Sequence, residues 1–202
     1  PQECSFNKIK NMNWIENITR PSVLRLKPYS SARDEYQGEA KVFLDANESP
    51  FETGLNRYPD PYQSELKTEL SRLKGVPETS VFVGNGSDEV IDLLFRAFCE
   101  PGQDSVLTMP PTYGMYQVSA DINSVGVIEI PLLEGFQVDI SSVISQRSKA
   151  KLIFLCSPNN PTGESVSNEV IATLAVVPPD SCMVATAPPS DMTWLWRDPP
   201  IT

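Results

Sequence analysis

The run Lys151-Leu152-Ile153-Phe154-Leu155-Cys156, followed at once by Ser157-Pro158-Asn159-Asn160-Pro161-Thr162-Gly163, leaves this part of the chain few folds to choose from. A continuous apolar stretch of this length has the character of a strand buried on both faces of a parallel sheet. Pro158 and Pro161 end it. Each proline fixes its own φ and pushes the residue before it toward extended geometry, so Ser157 and Asn160 keep little freedom. The Asn160 carboxamide is thereby held at the carboxyl end of a strand, where open α/β sheets bind their ligands. By itself a Pro/Asn segment is also an ordinary surface turn, and the rest of the chain decides between the two.

The upstream sequence supplies the other elements of such a sheet. Residues 80–83, 105–109 and 125–130 read as strands, and residues 87–99, 113–121 and 141–146 as helices. Val90, Ile91, Leu94, Phe95 and Phe98 form one apolar helix face, and Leu66, Leu70 and Leu73 make residues 63–74 a second amphipathic helix closed by Gly75. Strands alternating with helices imply right-handed crossovers and a three-layer α/β/α domain with a mostly parallel sheet. Ahead of it, Trp14, Ile15 and Ile18 mark an arm helix over residues 11–20, stopped by Pro21, and residues 42–45 read as a small strand. Beyond Gly163 a helix is expected over residues 167–174 and a strand over 181–187. Pro178-Pro179, Pro188-Pro189 and Pro199-Pro200, with Trp194 and Trp196 among them, then erase any regular period. The expected divisions are an arm with small-domain elements over 1–60, a partial ligand-binding domain over 61–174, and an aberrant Pro-rich tail over 175–202.

Composition narrows the chemistry. The 202 residues carry 16 Lys and Arg against 26 Asp and Glu, a net charge of −10, which argues against nucleic-acid or anionic-membrane partners. No apolar run approaches the ~20 residues of a spanning helix. The N-terminus shows no secretory pattern and no initiating Met, so the chain is expected to be incomplete there. Cys4, Cys99, Cys156 and Cys182 have no Cys-x-x-Cys spacing and read as reduced packing residues of a cytoplasmic protein. The absence of histidine removes the commonest general base and His-based metal sites; no metal site is expected, and the chemistry falls to Lys, Asp, Glu, Tyr or a cofactor.

Two further segments sit between a strand and a helix. Val83-Gly84-Asn85-Gly86-Ser87-Asp88-Glu89 passes through two glycines into a helix, with Ser87 as its expected N-cap, a turn that lets backbone N–H groups and the positive helix end face an anion but that by itself is equally a plain capped turn. Pro110-Pro111-Thr112-Tyr113-Gly114-Met115-Tyr116 lets the Tyr113 ring project at a strand's end, although an isolated aromatic is more often core packing. An anion nest, a flat aromatic and a fixed carboxamide together suit a phosphorylated planar ring.

These segments, with Pro28-Tyr29, Leu44-Asp45-Ala46-Asn47-Glu48-Ser49-Pro50 and Asn56-Arg57-Tyr58-Pro59-Asp60-Pro61, resemble the fold-type I pyridoxal-phosphate aminotransferases, and among them the histidinol-phosphate aminotransferases. The likeness runs in order over about residues 10 to 172. It implies an incomplete large domain of that fold with an N-terminal arm. It implies pyridoxal 5'-phosphate as cofactor, with Ser87, Asp88 and Glu89 at its phosphate, Tyr113 on its ring and Asn160 at its phenolic oxygen. Tyr58 would reach the cofactor of a neighbouring subunit, so a homodimer is implied, and Asn47 and Tyr29 would shape the substrate site. The implied reaction moves an amino group between histidinol phosphate or imidazole-acetol phosphate and glutamate or 2-oxoglutarate. The family's Schiff-base lysine has no counterpart, since no lysine follows Lys151; Asp180, Asp191 and Arg197 stand outside any family motif. Other expectations are a sibling acting on aromatic amino acids or threonine phosphate, a non-catalytic cofactor-binding or dimer-interacting module, or an unstable product.

Overall fold

The computed structural model describes residues 13–36, 38, 41–178, 181–186 and 194–196. The prolines at 188–189 and 199–200, Cys4, Asp180, Asp191 and Arg197 lie outside the described residues. The chain divides into two compact units, one of the described residues up to Arg25 together with those from Gly84 onward, the other of residues 26–83. The arm opens the first unit with helix α1 (Asn13–Ile18) and the single turn α2 (Pro21–Leu24).

Unit 26–83 holds α3 (Ala32–Glu35), α4 (Ser64–Lys74) and a 3-10 turn at Glu78–Ser80. Helix α4 stops at Gly75, whose φ of 68° is in the left-handed region that glycine adopts cheaply, and whose N–H closes on the Ser71 carbonyl at 2.8 Å. Two sequence expectations fail here. Residues 42–45 form no strand, and residues 80–83 form the end of the 3-10 turn and then extended chain at Val81. A strand needs a neighbour to take its N–H and C=O groups, and the described residues of this unit contain no strand. Val42 and Leu44 are left 71% and 91% exposed.

In the first unit the strands are β1 (Ser105–Thr108), β2 (Gly126–Glu129), β3 (Leu152–Cys156), β4 (Cys182–Thr186) and β5 (Trp194–Trp196), in the order β2-β1-β3-β4-β5. The first four run parallel and β5 pairs antiparallel to β4. Period-two alternation splits each central strand between two cores. Val106, Leu152, Phe154, Cys182 and Val184 enter one, and Leu107, Ile153, Leu155 and Met183 the other. On the first face α5 (Gly86–Phe98) and α6 (Met115–Ile122) bury Ile91, Phe95 and Tyr116, joined by Ile18 of the arm. Helices α7 (Ile140–Gln146) and α8 (Asn168–Ala175) bring Val143 and Leu174 to the second face. The fold is therefore the expected three-layer, mostly parallel α/β/α arrangement. Arg20 ties the arm down by capping the carboxyl end of α5: its backbone N–H reaches the Ala97 carbonyl at 2.9 Å, and its guanidinium reaches the Arg96 carbonyl and Glu100. Among the described residues no helix is long and apolar enough to cross a membrane.

Candidate functional site

The carboxyl ends of β1 and β3 and the start of α5 carry five of the eight expected site residues. Gly86 has φ +77°, a geometry strained for any residue with a Cβ, and it opens α5 so that Asn85 is the N-cap. Ser87, expected as the cap, lies within the first turn. The Asn85 side chain makes no capping bond to the first turn. The Glu89 carboxylate turns back to accept from the Asn85 backbone N–H and from its Nδ2, the latter at 3.1 Å. Asp88 is engaged elsewhere, accepting the Tyr113 hydroxyl at 2.8 Å. The outward N–H groups of the first turn, reinforced by the helix dipole, can take an anion.

Tyr113 is half-buried, its ring standing edge-on to Tyr116 with centroids 5.8 Å apart and planes at 85°. Behind it runs an aromatic column in which Tyr116 stacks on Phe154 at 4.7 Å and Phe154 on Phe95 at 5.3 Å. The Tyr116 hydroxyl, otherwise sealed from water, hydrogen-bonds the buried Thr186 hydroxyl of β4. The Tyr113 phenol is raised above its usual range, first by its hydrogen bond to the Asp88 carboxylate and then by burial. Asp88→Asn should therefore lower the Tyr113 titration midpoint toward 10.0, read by ultraviolet difference absorbance. An unchanged midpoint would contradict the assignment.

In the turn after β3, the structure separates two adjacent asparagines that the sequence could not. Asn160 is exposed, and its carboxamide makes no hydrogen bond with the described residues. Asn159 is only 8% exposed and fully engaged. Its Oδ1 accepts from Thr112 Oγ1 at 2.9 Å, and its Nδ2 donates to the Pro111 carbonyl at 2.9 Å and to Thr162 Oγ1 at 3.0 Å. Sequence reasoning missed Asn159 and Thr112: alternation says that neighbours point opposite ways, not which one points inward. A continuous chain of contacts thus links Asp88 to Tyr113, the adjacent Thr112 to Asn159, and so to Asn160. The arrangement can hold an anion at α5, a flat ring by Tyr113 and a polar ring substituent at Asn160. A cavity of about 190 Å³ borders Asn159, Thr112 and Cys156, but Ser87, Asp88, Tyr113 and Asn160 do not line it. That cavity is therefore not where these four expected site residues lie.

The other three expected residues, Tyr29, Asn47 and Tyr58, belong to unit 26–83. Tyr29 is 89% and Tyr58 61% exposed, and Asn47 is exposed as well. Within this unit Glu48 is the hub. Its side chain is 4% exposed and accepts from Arg33 at 3.1 Å, from Arg57 at 2.8 Å and from the Tyr58 backbone N–H at 2.9 Å. These bonds, Arg33 first and Arg57 next, pull its carboxyl from 4.5 to about 2. A depressed acid stabilises the fold above its ordinary value, and that contribution fades as pH falls from 4.5 toward about 2. Carboxyl titration by nuclear magnetic resonance should place the Glu48 midpoint at about 2, and a midpoint at 4.5 would contradict the clasp.

A family model described as aminotransferase class I and II matches residues 35–185. The histidinol-phosphate aminotransferase of Christiangramia forsetii is 55% identical over 166 residues, covering 81% of this chain and 47% of that protein. Its counterpart in Parabacteroides distasonis is 55% identical over 156 residues, covering 77% and 45%. The chain thus spans about half the length of the curated relatives it matches. Among solved structures, the histidinol-phosphate aminotransferase from Clostridium acetobutylicum superposes with a TM-score of 0.59 at 22% identity, covering 65% of this chain and 39% of that one. The histidinol-phosphate aminotransferase from Sinorhizobium meliloti, in complex with pyridoxal-5'-phosphate, gives 0.59 at 22%, covering 64% and 35%. At such identities the structural likeness speaks for the fold alone.

Proposed function

Because the chain belongs to the class I and II aminotransferases, we propose that it is the N-terminal part of a histidinol-phosphate aminotransferase using pyridoxal 5'-phosphate. The reaction moves an amino group between L-histidinol phosphate or imidazole-acetol phosphate and glutamate or 2-oxoglutarate. The observation that carries the site is the contact chain from Asp88 through Tyr113 and Thr112 to Asn159 beside Asn160. The relatives at 55% identity carry the choice of substrate.

In this reading the first-turn backbone at Ser87, Asp88 and Glu89 binds the cofactor phosphate. Tyr113 lies against the pyridine ring. Its raised phenol stays protonated and uncharged at neutral pH, so the ring face meets no phenolate. The Asn160 Nδ2 donates to the phenolic oxygen. When bound, the cofactor supplies an electron sink for the bond broken at the substrate's α-carbon. Asn47 and Tyr29 border the substrate, and Tyr58 reaches the cofactor phosphate of a neighbouring subunit in a homodimer. Support for that dimer comes from the large apolar side chains left open in unit 26–83, Leu44 at 91% and Leu55 at 93% among them. A cytoplasmic setting suits Cys99 and Cys156, which are free and buried, the Cys99 thiol pushed up to about 12 by burial. Partners are then small molecules rather than nucleic acid or membrane, in keeping with the charge of −10.

Substrate profiling of the intact protein tests this. Preference for histidinol phosphate is expected, and preference for an aromatic amino acid or threonine phosphate would overturn it. One observation favours a second reading for the present 202 residues, a non-catalytic cofactor-binding or dimer-interacting module: no lysine follows Lys151. That module would incorporate into dimers of the intact enzyme when the two are co-expressed.

A further inference from the structure

We propose that Asn159 is a positioning residue whose buried carboxamide locks the turn after β3 to the loop after β1, so that Tyr113 and Asn160 address one ligand together. The inference rests on the cofactor reading above for the identity of that ligand.

The sheet itself does not provide this lock. The β1–β3 ladder pairs Val106 with Leu152 and Leu107 with Ile153 and goes no further, although β3 continues to Cys156. Past the ladder the β1 side runs through Pro110 and Pro111, which have no N–H to donate. At those two positions only the carbonyls can enter a cross-link. The turn after β3 is closed on itself, the Asn159 N–H reaching the Glu164 carbonyl and the Gly163 N–H reaching the Asn159 carbonyl, both at 2.7 Å. It is also tied to β4 by the Ser157 N–H on the Thr186 carbonyl at 2.8 Å. Among the described residues, the hydrogen bonds that join it to the other loop both run through the Asn159 side chain.

A carboxamide has two donors and one acceptor oxygen. Here both loops use them: the Pro111 carbonyl and Thr112 hydroxyl on the β1 side, and the Thr162 hydroxyl on the β3 side. Thr112 directly precedes Tyr113, and Asn159 directly precedes Asn160. An aspartate would lose the donors and face a carbonyl, and a glutamine is one methylene too long. Asparagine meets all three partners.

The test uses Asn159→Ala, Thr112→Val and Thr112→Ser in the 202-residue chain, with equilibrium binding of pyridoxal phosphate, thermal melting and amide hydrogen exchange as readouts. Valine matches threonine in shape but lacks the hydroxyl, so it should fold while removing one of the two bonds between the loops and leaving the one from Asn159 Nδ2 to the Pro111 carbonyl. Serine keeps the hydroxyl. Thr112→Val and Asn159→Ala should weaken pyridoxal phosphate binding about threefold to tenfold, the range of one lost hydrogen bond, and Thr112→Ser should restore it. Once Tyr113→Ala has removed the ring, Asn159→Ala should weaken binding less than it does alone. Lower melting temperatures with unchanged affinity would make Asn159 merely structural and overturn the proposal. If the unaltered chain binds no pyridoxal phosphate, the cofactor reading fails, and exchange then decides the lock by itself. Faster exchange at both Tyr113 and Gly163 in Asn159→Ala and Thr112→Val sustains it, and a change confined to the turn of Gly163 overturns it.

Discussion

Supplied with glutamate, imidazole-acetol phosphate and pyridoxal phosphate, the 202-residue chain alone should transfer no amino group above the protein-free rate. Aminotransferases need a lysine that bonds the cofactor and moves the proton, and such a nucleophile or base contributes orders of magnitude in rate. The last lysine of the chain, Lys151, precedes β3, and the turn with Asn160 follows it. At ~3.3 Å per residue, five strand residues put roughly 16 Å between the two ends, beyond the reach of a lysine side chain. Among the described residues the candidate bases at the site are engaged: Asp88 is held by the Tyr113 hydroxyl, and the Tyr113 phenol is raised and keeps its proton, while the chain has no histidine. Chromatographic measurement of 2-oxoglutarate production checks this, and turnover at enzyme-like rates would contradict it.

Phe154→Ala should cost about 3–5 kcal/mol, the usual range for emptying a buried phenylalanine site. Phe154 is fully buried at the centre of the sheet, stacked on both Phe95 and Tyr116, and its removal leaves two aromatic faces without contact. Since small domains are stable by only ~5–15 kcal/mol, the variant should be at the edge of unfolding. It should also loosen Tyr113, whose ring rests edge-on against Tyr116. Urea denaturation measures the loss, and a change below about 1 kcal/mol would contradict the packing described. Phe154→Leu, which fills more of the space, should cost less.

Much of the sheet was legible because its strands carry their signal locally. The unbroken apolar run of β3 is buried at every position, and the alternation around Val106 and Leu107 sorts residues to opposite cores as period two requires. Even β4, set among prolines, follows burial: Cys182, Met183 and Val184 are sealed and pair with β3 over its length. What failed depended on partners. Residues 42–45 and 80–83 have strand-like composition, but pairing is a property of two segments, and neither finds a neighbour among the described residues. The same limit applied to the candidate site. The two strand-end segments and the glycine turn into α5 were visible, yet the link from Asp88 to Tyr113 joins residues 25 positions apart, and that from Thr112 to Asn159 joins residues 47 apart. No local pattern encodes either contact.

The account stands or falls on whether the two strand ends and the start of α5 hold one phosphorylated ring. Titration of the chain with pyridoxal phosphate, followed by dialysis and by borohydride trapping in parallel, measures that most directly. The account predicts saturable binding of one equivalent that dialysis removes, that inorganic phosphate competes with, and that Tyr113→Ala weakens about tenfold through loss of the ring contact. Absence of saturable binding, or uptake only as scattered lysine adducts indifferent to Tyr113→Ala and Asn160→Ala, would contradict it.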